Sequence, residues 1–528
     1  NACSADQHDV IDCHGNVVST CTGDQACDPN TLVCTNACQA AIDAKRSVGC
    51  DYYATDMDQI FQDVCFAAIV ANTWSTPAHI QVAYQGNALT ASTFTRIPSG
   101  SGPSLTYAPY DDAMGLPPGQ VAVVFLSGSQ TSIVPCPVPS AVPTGVMHQT
   151  TTMGNSFHIT TDVPVVAYQI NPYGGGSAQT TGSSLLIPTS AWDKNYVLVN
   201  VTPFDIANPS LNIVAAEDDT TITMVPTQAV QGGGGIPAGA ANAQMTFMLS
   251  KGQNAQISQQ AELTGSVLQS DKPVGVMAGQ DCMRYPQGNA YCDHGEQMVP
   301  PVKALGSEYV AVMYRPRIQS ETGAFWKLIG AVDGTQLTYS TPVGGPPTLN
   351  AGQVVEFQSG TPFDVKSQDS DHPFLLFTYM PGNQLIPGLD GYGDPDFVLS
   401  VPPQQYLQDY VFFADPTYPE TSLVVVRAKA KDGTFKDVTL DCAGPLSGWQ
   451  PVGDYEWTRI DLSTHDFQPV GACSTGGHDI KSDAPFGLWV WGWGTPETST
   501  ATRDVSYGYP GGMNVQAINH VVIPPMPK

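Results

Sequence analysis

The chain has 528 residues, 47 acidic against 20 basic, and a formal net charge of -27. Such a field repels phosphate backbones and anionic lipid headgroups, which excludes nucleic-acid binding and electrostatic membrane docking. Glycine (51) and proline (44) make about 18% of the residues and charged side chains only 13%, a turn-dense, weakly charged composition that argues against helical bundles. The longest apolar runs, residues 64–71 and 486–493, fall far short of the ~18 residues that span a bilayer.

Seven of the 13 cysteines lie in the first fifty residues: Cys3, Cys13, Cys21, Cys27, Cys34, Cys38 and Cys50. The polar, turn-rich intervals between them cannot build a core, so covalent staples replace one. Zinc would prefer paired C-x2-C knuckles, and the shortest spacing here is the single C-x3-C of Cys34 and Cys38. Residues 1–48 therefore read as a separate disulfide-rich head. An oxidising, extracellular or cell-surface location follows, and the start at Asn1 suggests that a targeting segment was removed. An odd total leaves at least one thiol free or joined to another chain or group.

Residues 49–528 read as a β-repeat body. Within the whole chain, only the stretch 37–46 carries a helical pattern, whereas the body consists of short apolar runs punctuated by Gly, Pro, Asn and Asp. One hairpin-like signal recurs: Thr161-Asp162-Val163-Pro164, Ser270-Asp271-Lys272-Pro273, Ser370-Asp371-His372-Pro373 and Ser482-Asp483-Ala484-Pro485. Its prolines lie 109, 100 and 112 residues apart, and each suits the first residue of a strand. A second signal runs in step. Leu186-Ile187-Pro188 leads to Tyr196, Met298-Val299-Pro300-Pro301 to Tyr309, and Ser400-Val401-Pro402-Pro403 to Tyr410. Two markers sharing one period predict four tandem antiparallel β units of ~100–120 residues, about 49–180, 181–294, 295–396 and 397–528.

The fold class is thus all-β. A propeller-like closed ring is favoured over a string of β-sandwiches, because Ile518-Asn519-His520-Val521-Val522-Ile523-Pro524-Pro525 repeats the second marker with no unit after it. As a last strand placed beside the first unit, it would bury Ile518, Val521 or Val522, and Ile523 and remove two sheet edges.

Residues 282–301 concentrate chemistry: Cys282, then Cys292-Asp293-His294-Gly295-Glu296-Gln297 and Pro300-Pro301. Thiolate, imidazole and carboxylate this close could converge on zinc, whereas a disulfide between Cys282 and Cys292 would consume both thiols. The disulfide is the expectation, with a second between Cys442 and Cys473. The Cys292 to Gln297 string, Pro300-Pro301 and Leu305-Gly306-x-x-Tyr309-Val310 together resemble the N-terminal domain family of the IgG Fc-binding protein. Gly49-Cys50-Asp51-Tyr52-Tyr53-Ala54-Thr55-Asp56, Gly393-Asp394-Pro395-Asp396 and the Asp-x-Pro signals match as well, so the resemblance covers most of residues 49–525, with Gly295 where Leu is the family's habit. It implies a binding or adhesion protein, with bacterial members secreted or surface-displayed, and no catalytic residues. Asp293, His294, Glu296, Gln297 and the two prolines are then structural.

Trp489, Trp491 and Trp493 alternate along one strand face. The repeat makes the positions of the first two core positions, and Trp493, beyond the pattern, becomes the candidate surface aromatic. Asp51, Asp56, Asp58 and Asp63, and separately Asp390, Asp394 and Asp396, sit among Gly and Tyr in expected loops, where their oxygens could hold Ca²⁺; neither group has the EF-hand spacing. No other cofactor is expected. Glu217-Asp218-Asp219 and Asp333-Gly334 read as hairpin turns. No G-x-S-x-G, Walker loop or strand-flanked G-x-G-x-x-G occurs, and the glycine strings at 174–176 and 232–235 read as loops. The function read from this is a secreted or cell-surface, non-enzymatic binding or adhesion protein whose partner is a glycan, a protein or a second copy. A self-assembling structural subunit and an extracellular hydrolase are the alternatives.

Overall fold

Val, Ile, Phe and Tyr favour the pleated, half-buried surface of a strand, while the Gly, Pro and Asp between them close turns. The computed structural model accordingly contains 46% strand and 5% helix, in several curled half-barrel sheets. It describes all residues except 175–179, 202–206, 289–290, 499–502 and 527–528, so most of the glycine string at 174–176 lies outside the described residues.

Three of the four units are built on one long strand: Phe157–Asn171, Val267–Met283 and Gly476–Trp493. Its first half pairs with a leading strand (Val48–Ala54, Asp193–Val197, Leu407–Ala414). Its second half pairs with a second strand (Phe66–Asn72, Pro209–Ala215, Glu420–Arg427) and an inner strand (Gly182–Leu185, Asp293–Met298, Ser506–Pro510). Exposure follows this division. The first half alternates in and out, while the second, flanked on both sides, is almost wholly buried. In the third unit the long strand is split into Phe363–Lys366 and Phe374–Met380, with Asp396–Leu399 as the inner strand.

Three of the Asp-x-Pro signals prove to be bends inside these strands, not hairpins, and the third in chain order, Ser370 to Pro373, is the turn that splits its strand. Register against the leading strand jumps from Thr160 to Val165, from Gln269 to Val274 and from Lys481 to Phe486, so four marker residues oppose one partner residue each time. Proline lacks the N–H that a ladder demands, so a bulge is where a mid-strand proline is tolerated. The second marker forms a 3-10 turn, Thr189–Ala191, Val302–Ala304 and Pro403–Gln405. Its tyrosine then locks the bend: Tyr196 donates to Val274 O (2.6 Å), Tyr309 to Phe374 O (2.7 Å) and Tyr410 to Phe486 O. Tyr52 does the same to Val165 O at 2.7 Å in the first unit. Each acceptor follows the marker proline by one residue, which explains why the two signals keep step.

The four inner strands touch in succession: Gly182–Leu185 packs against Asp293–Met298 and Ser506–Pro510, and Asp396–Leu399 packs against the same two. The unit boundaries consequently lie later than the expected 294 and 396, since Asp293–Met298 and Asp396–Leu399 each complete the preceding unit. Thr152–Asn155, in the first unit by sequence, pairs with Gln253–Ser258 of the second.

After Pro510 the chain does not form the expected last strand. Residues 511–526 run extended with one bridge, Asn514 to Arg46. The segment is held instead by scattered bonds to the helix end, to the 3-10 turns of the third and fourth units and to Asn195. Val515 N donates to Lys45 O (2.7 Å), Asn514 N to Gln405 O (2.8 Å), Ile518 N to Lys303 O (2.9 Å) and Ile523 N to Asn195 Oδ1 (2.8 Å). Ile518, Val521 and Ile523 are half-buried, whereas Val522 is exposed.

In the head, two small sheets precede the helix Ala37–Ala44, which Asn36 caps by accepting from Cys38 N and Gln39 N. The helix is two residues shorter than the 37–46 pattern because Lys45 adopts a left-handed conformation. Its alanine face packs on the leading and long strands of the first unit, and the Cys38–Cys50 disulfide crosses the boundary expected at residue 48. The remaining head disulfides are Cys3–Cys27 and Cys21–Cys34.

Candidate functional site

The motif that carries the family resemblance lies where the inner strands meet. Asp293 accepts from Thr181 N (3.1 Å) and Ser506 N (2.9 Å), so its two oxygens bind the inner-strand ends of the first and fourth units. Gln297 donates to Ser183 O (2.8 Å) and Gly508 O (3.0 Å), while Leu399 N of the third unit approaches its oxygen at 3.5 Å. One side chain of the second unit thereby reaches all three others. Glu296 accepts from Gln169 (2.7 Å) and lies 3.5 Å from His294. All four side chains are at most 1% exposed.

The electrostatics are those of carboxyls kept from water. Burial, then Asp394, holds Asp293 well above the usual carboxylate range; burial, then Asp504, does so for Asp394, and burial, then Glu296, for Asp396. Glu296 is also raised by burial, against the pull of His294. Nearby, burial lifts Asp56 to about 6 and Asp281 to about 7. A buried carboxyl in its neutral form can donate as well as accept, so this cluster can tie backbone to backbone across units.

The expected calcium sets are not loop ligands in common. Asp51 lies in the leading strand beside His158 (3.1 Å), and Asp56 accepts from Ser127 (2.7 Å) and Asn171 (3.2 Å). Asp58 accepts from Ser258 (2.5 Å), Asp63 from Gly145 N (2.7 Å) and Asp390 from Arg503 (2.9 Å). Asp394 and Asp396 are buried, the latter opening the inner strand. Among the described residues one trio, Asp441, Cys442 and His478, brings ligand-type atoms within 4.8 Å, and Cys442 is bonded to Cys473. Cys282 joins Cys292, so the zinc reading loses its thiolates, and Cys65 joins Cys136, a pair that sequence reasoning missed.

Trp493 is not a surface aromatic. It is 0% exposed, donates to Glu420 (3.1 Å) and lies under the Arg315 guanidinium at 4.9 Å, because the second half of the long strand faces the third unit. Trp489 donates to Leu399 O (3.0 Å) and Trp491 meets Tyr314, so the indole stripe is the seam between the third and fourth units.

A family model described as IgGFc binding protein matches residues 182–492, which contain every residue of this motif. The human IgGFc-binding protein is 28% identical over 227 residues, covering 42% of this chain and 4% of that relative's own length. No solved structure matches. The relative being human, the bacterial source expected from the resemblance is not supported.

Proposed function

The chain belongs to the IgGFc binding protein family, and from that premise we propose that it is an extracellular, non-enzymatic binding and adhesion protein with a propeller-like body. The observation that carries this reading is Gln297, whose amide bonds strands of the first and fourth units and meets the third. A motif spent on holding four units together makes a rigid scaffold, and a rigid scaffold presents loops for binding at low entropic cost. The relative is named for binding IgG Fc, which favours a protein partner. Twelve cysteines in disulfides suit an oxidising location, and no helix among the described residues is long and apolar enough to cross a membrane.

Self-association is a second reading, favoured by the exposed, unpaired Cys13 in the head. Immobilised full chain, challenged with IgG Fc and with mucin-type glycoprotein, should bind one of them saturably, and mass photometry with and without reductant should show monomers both times. A reductant-sensitive dimer would support the second reading. Turnover of peptidase or glycosidase substrates by the pure protein would overturn both.

A further inference from the structure

Where the head meets the first and fourth units, a cleft of about 100 Å³ is lined by Gln7, Arg46, Trp74, Asp409, Tyr410 and Asp479, among others. It opens into a polar groove of about 610 Å³ with which it shares Ala5, Asp6 and Asp409. Asp409, Asp479 and Lys481 stand on one face of the paired strands Leu407–Ala414 and Gly476–Trp493, with Lys481 3.8 Å from Asp479.

Two buried donors of residues lining this cleft have no partner among the described residues, Gln7 Nε2 and Arg46 Nε. Gln7 is 5% exposed and is held in place, its N donating to Ser4 O and its O accepting from Cys27 N. Arg46 spends another nitrogen on Ala5 O at 2.8 Å, which fixes the guanidinium against the head. Buried donors without acceptors are costly to a fold and rare, so a pair of them beside a cavity asks for a ligand that accepts. The carboxyls opposite ask for one that donates. Asp409 is lifted to about 6, by burial and then by Asp479, so the two acids already crowd each other.

We propose that this cleft binds the terminal, uncharged sugar of a carbohydrate chain, whose hydroxyls accept from Gln7 and Arg46 and donate to Asp409 and Asp479. A hydroxyl does both, and adjacent hydroxyls on one ring edge serve the two walls together. An anion would face Asp6, Asp409 and Asp479, and a cation would face Arg46 and Lys481. The volume holds the displaced equivalent of about three waters, which suits one ring edge, with the next residues lying in the open groove. Trp74, stacked on His8 at 4.2 Å and donating to Gly23 O at 2.9 Å, keeps the wall rigid. This deepens the reading of a binding protein by naming a ligand class at one place.

Saturation-transfer NMR on the full chain tests it, with the methyl glycosides of glucose, galactose, mannose, fucose and N-acetylglucosamine as probes, and lysine amide and glucuronate as charged comparisons. At least one neutral glycoside should bind, and Asp409→Asn and Gln7→Leu should each weaken it tenfold or more without changing the melting transition. If a variant fails to fold, Asp479→Asn takes its place. Silence from all five glycosides, binding that survives the substitutions, or preference for lysine amide would overturn the proposal. Fc or glycoprotein capture that persists when sugar binding fails would leave the protein-binding reading standing.

Discussion

The head and the body solve one problem, order in a turn-rich chain, by different means. In the head the buried apolar side chains are a cluster of Val10, Cys21 and Cys27 and a few alanines lent to the body, and disulfides supply the constraint. In the body one continuous core runs through all four units, and polar side chains do the joining. Staples limit the unfolded chain locally, whereas a shared core and a central polar network make distant segments fall together. The comparison therefore predicts local consequences for damage in the head and global ones in the body.

The largest global effect should come from deleting residues 514–528. The segment bonds to the head and to residues of the second, third and fourth units, and its loss frees backbone groups at Lys45, Gln405 and Lys303 and removes the packing of Val521 and Ile523. A loss of about 3–6 kcal/mol in urea unfolding is expected, with one cooperative transition retained. An unchanged midpoint would mean that the units are independent beads. Gln297→Leu should cost about 2–4 kcal/mol, because it removes a donor from each of Ser183 O and Gly508 O in a dry interior.

The buried acids give the body a pH signature. Asp56, Asp415 and Asp281 have folded pKa values of about 6, 6 and 7, above the ordinary 3.8 because burial disfavours the charged form. The folded state thus holds protons that the unfolded chain releases, so stability is highest below these values and falls as pH rises through 6 to 7. Moving from pH ~7.5 to ~5.5 should stabilise the body by about 3 kcal/mol. Below about pH 4 the trend reverses, as Asp441, lowered by His478 against its burial, and the turn-capping Asp12 and Asp28 lose their bonds. Unfolding curves across pH 3–8 check both limbs, and a flat profile would show that the acids at the centre are solvated.

Tyr196→Phe should cost less, about 1–2 kcal/mol. It removes the donor to Val274 O and the acceptor of Asp193 N without changing shape. The equivalent change at Tyr309 should cost the same and add to it, since the two bends share no partner.

This tyrosine lock also shows what the sequence made legible. The two periodic markers keep step because a bend and its lock recur together wherever the strand bends. What they could not reveal was that Asp-x-Pro marks a bulge in mid-strand, since proline at a strand's start and proline in a bulge look alike in one dimension. The motif at Asp293 to Gln297 stands out in the sequence, yet its partners Thr181, Gly508 and Leu399 come from other units and carry no local signal. Trp493 was misplaced for the same reason: the neighbour that buries it, Tyr314, lies in another unit. The cleft was invisible, because Gln7 and Asp409 are far apart in the chain and neither belongs to a motif.

The smallest expected effect on the body is also the sharpest test of the comparison. Cys21→Ser with Cys34→Ser removes one of two disulfides that close the head's small sheets, a local loss of about 2–4 kcal/mol. The helix Ala37–Ala44 remains tied by Cys38–Cys50 and by its alanine face on the first unit, so the body core risks only the contacts of Trp74 with His8 and Gly23. The main unfolding transition should move by less than about 0.5 kcal/mol, because the altered site and the body's core share no partners. Proteolysis should meanwhile cut before Asn36, and sugar binding should weaken with it, since Gln7 is positioned by Cys27 N on the neighbouring strand. A fall of the main transition by 2 kcal/mol or more would show that the head is part of the body's cooperative unit, and the division between stapled and core-held regions would give way to a single fold.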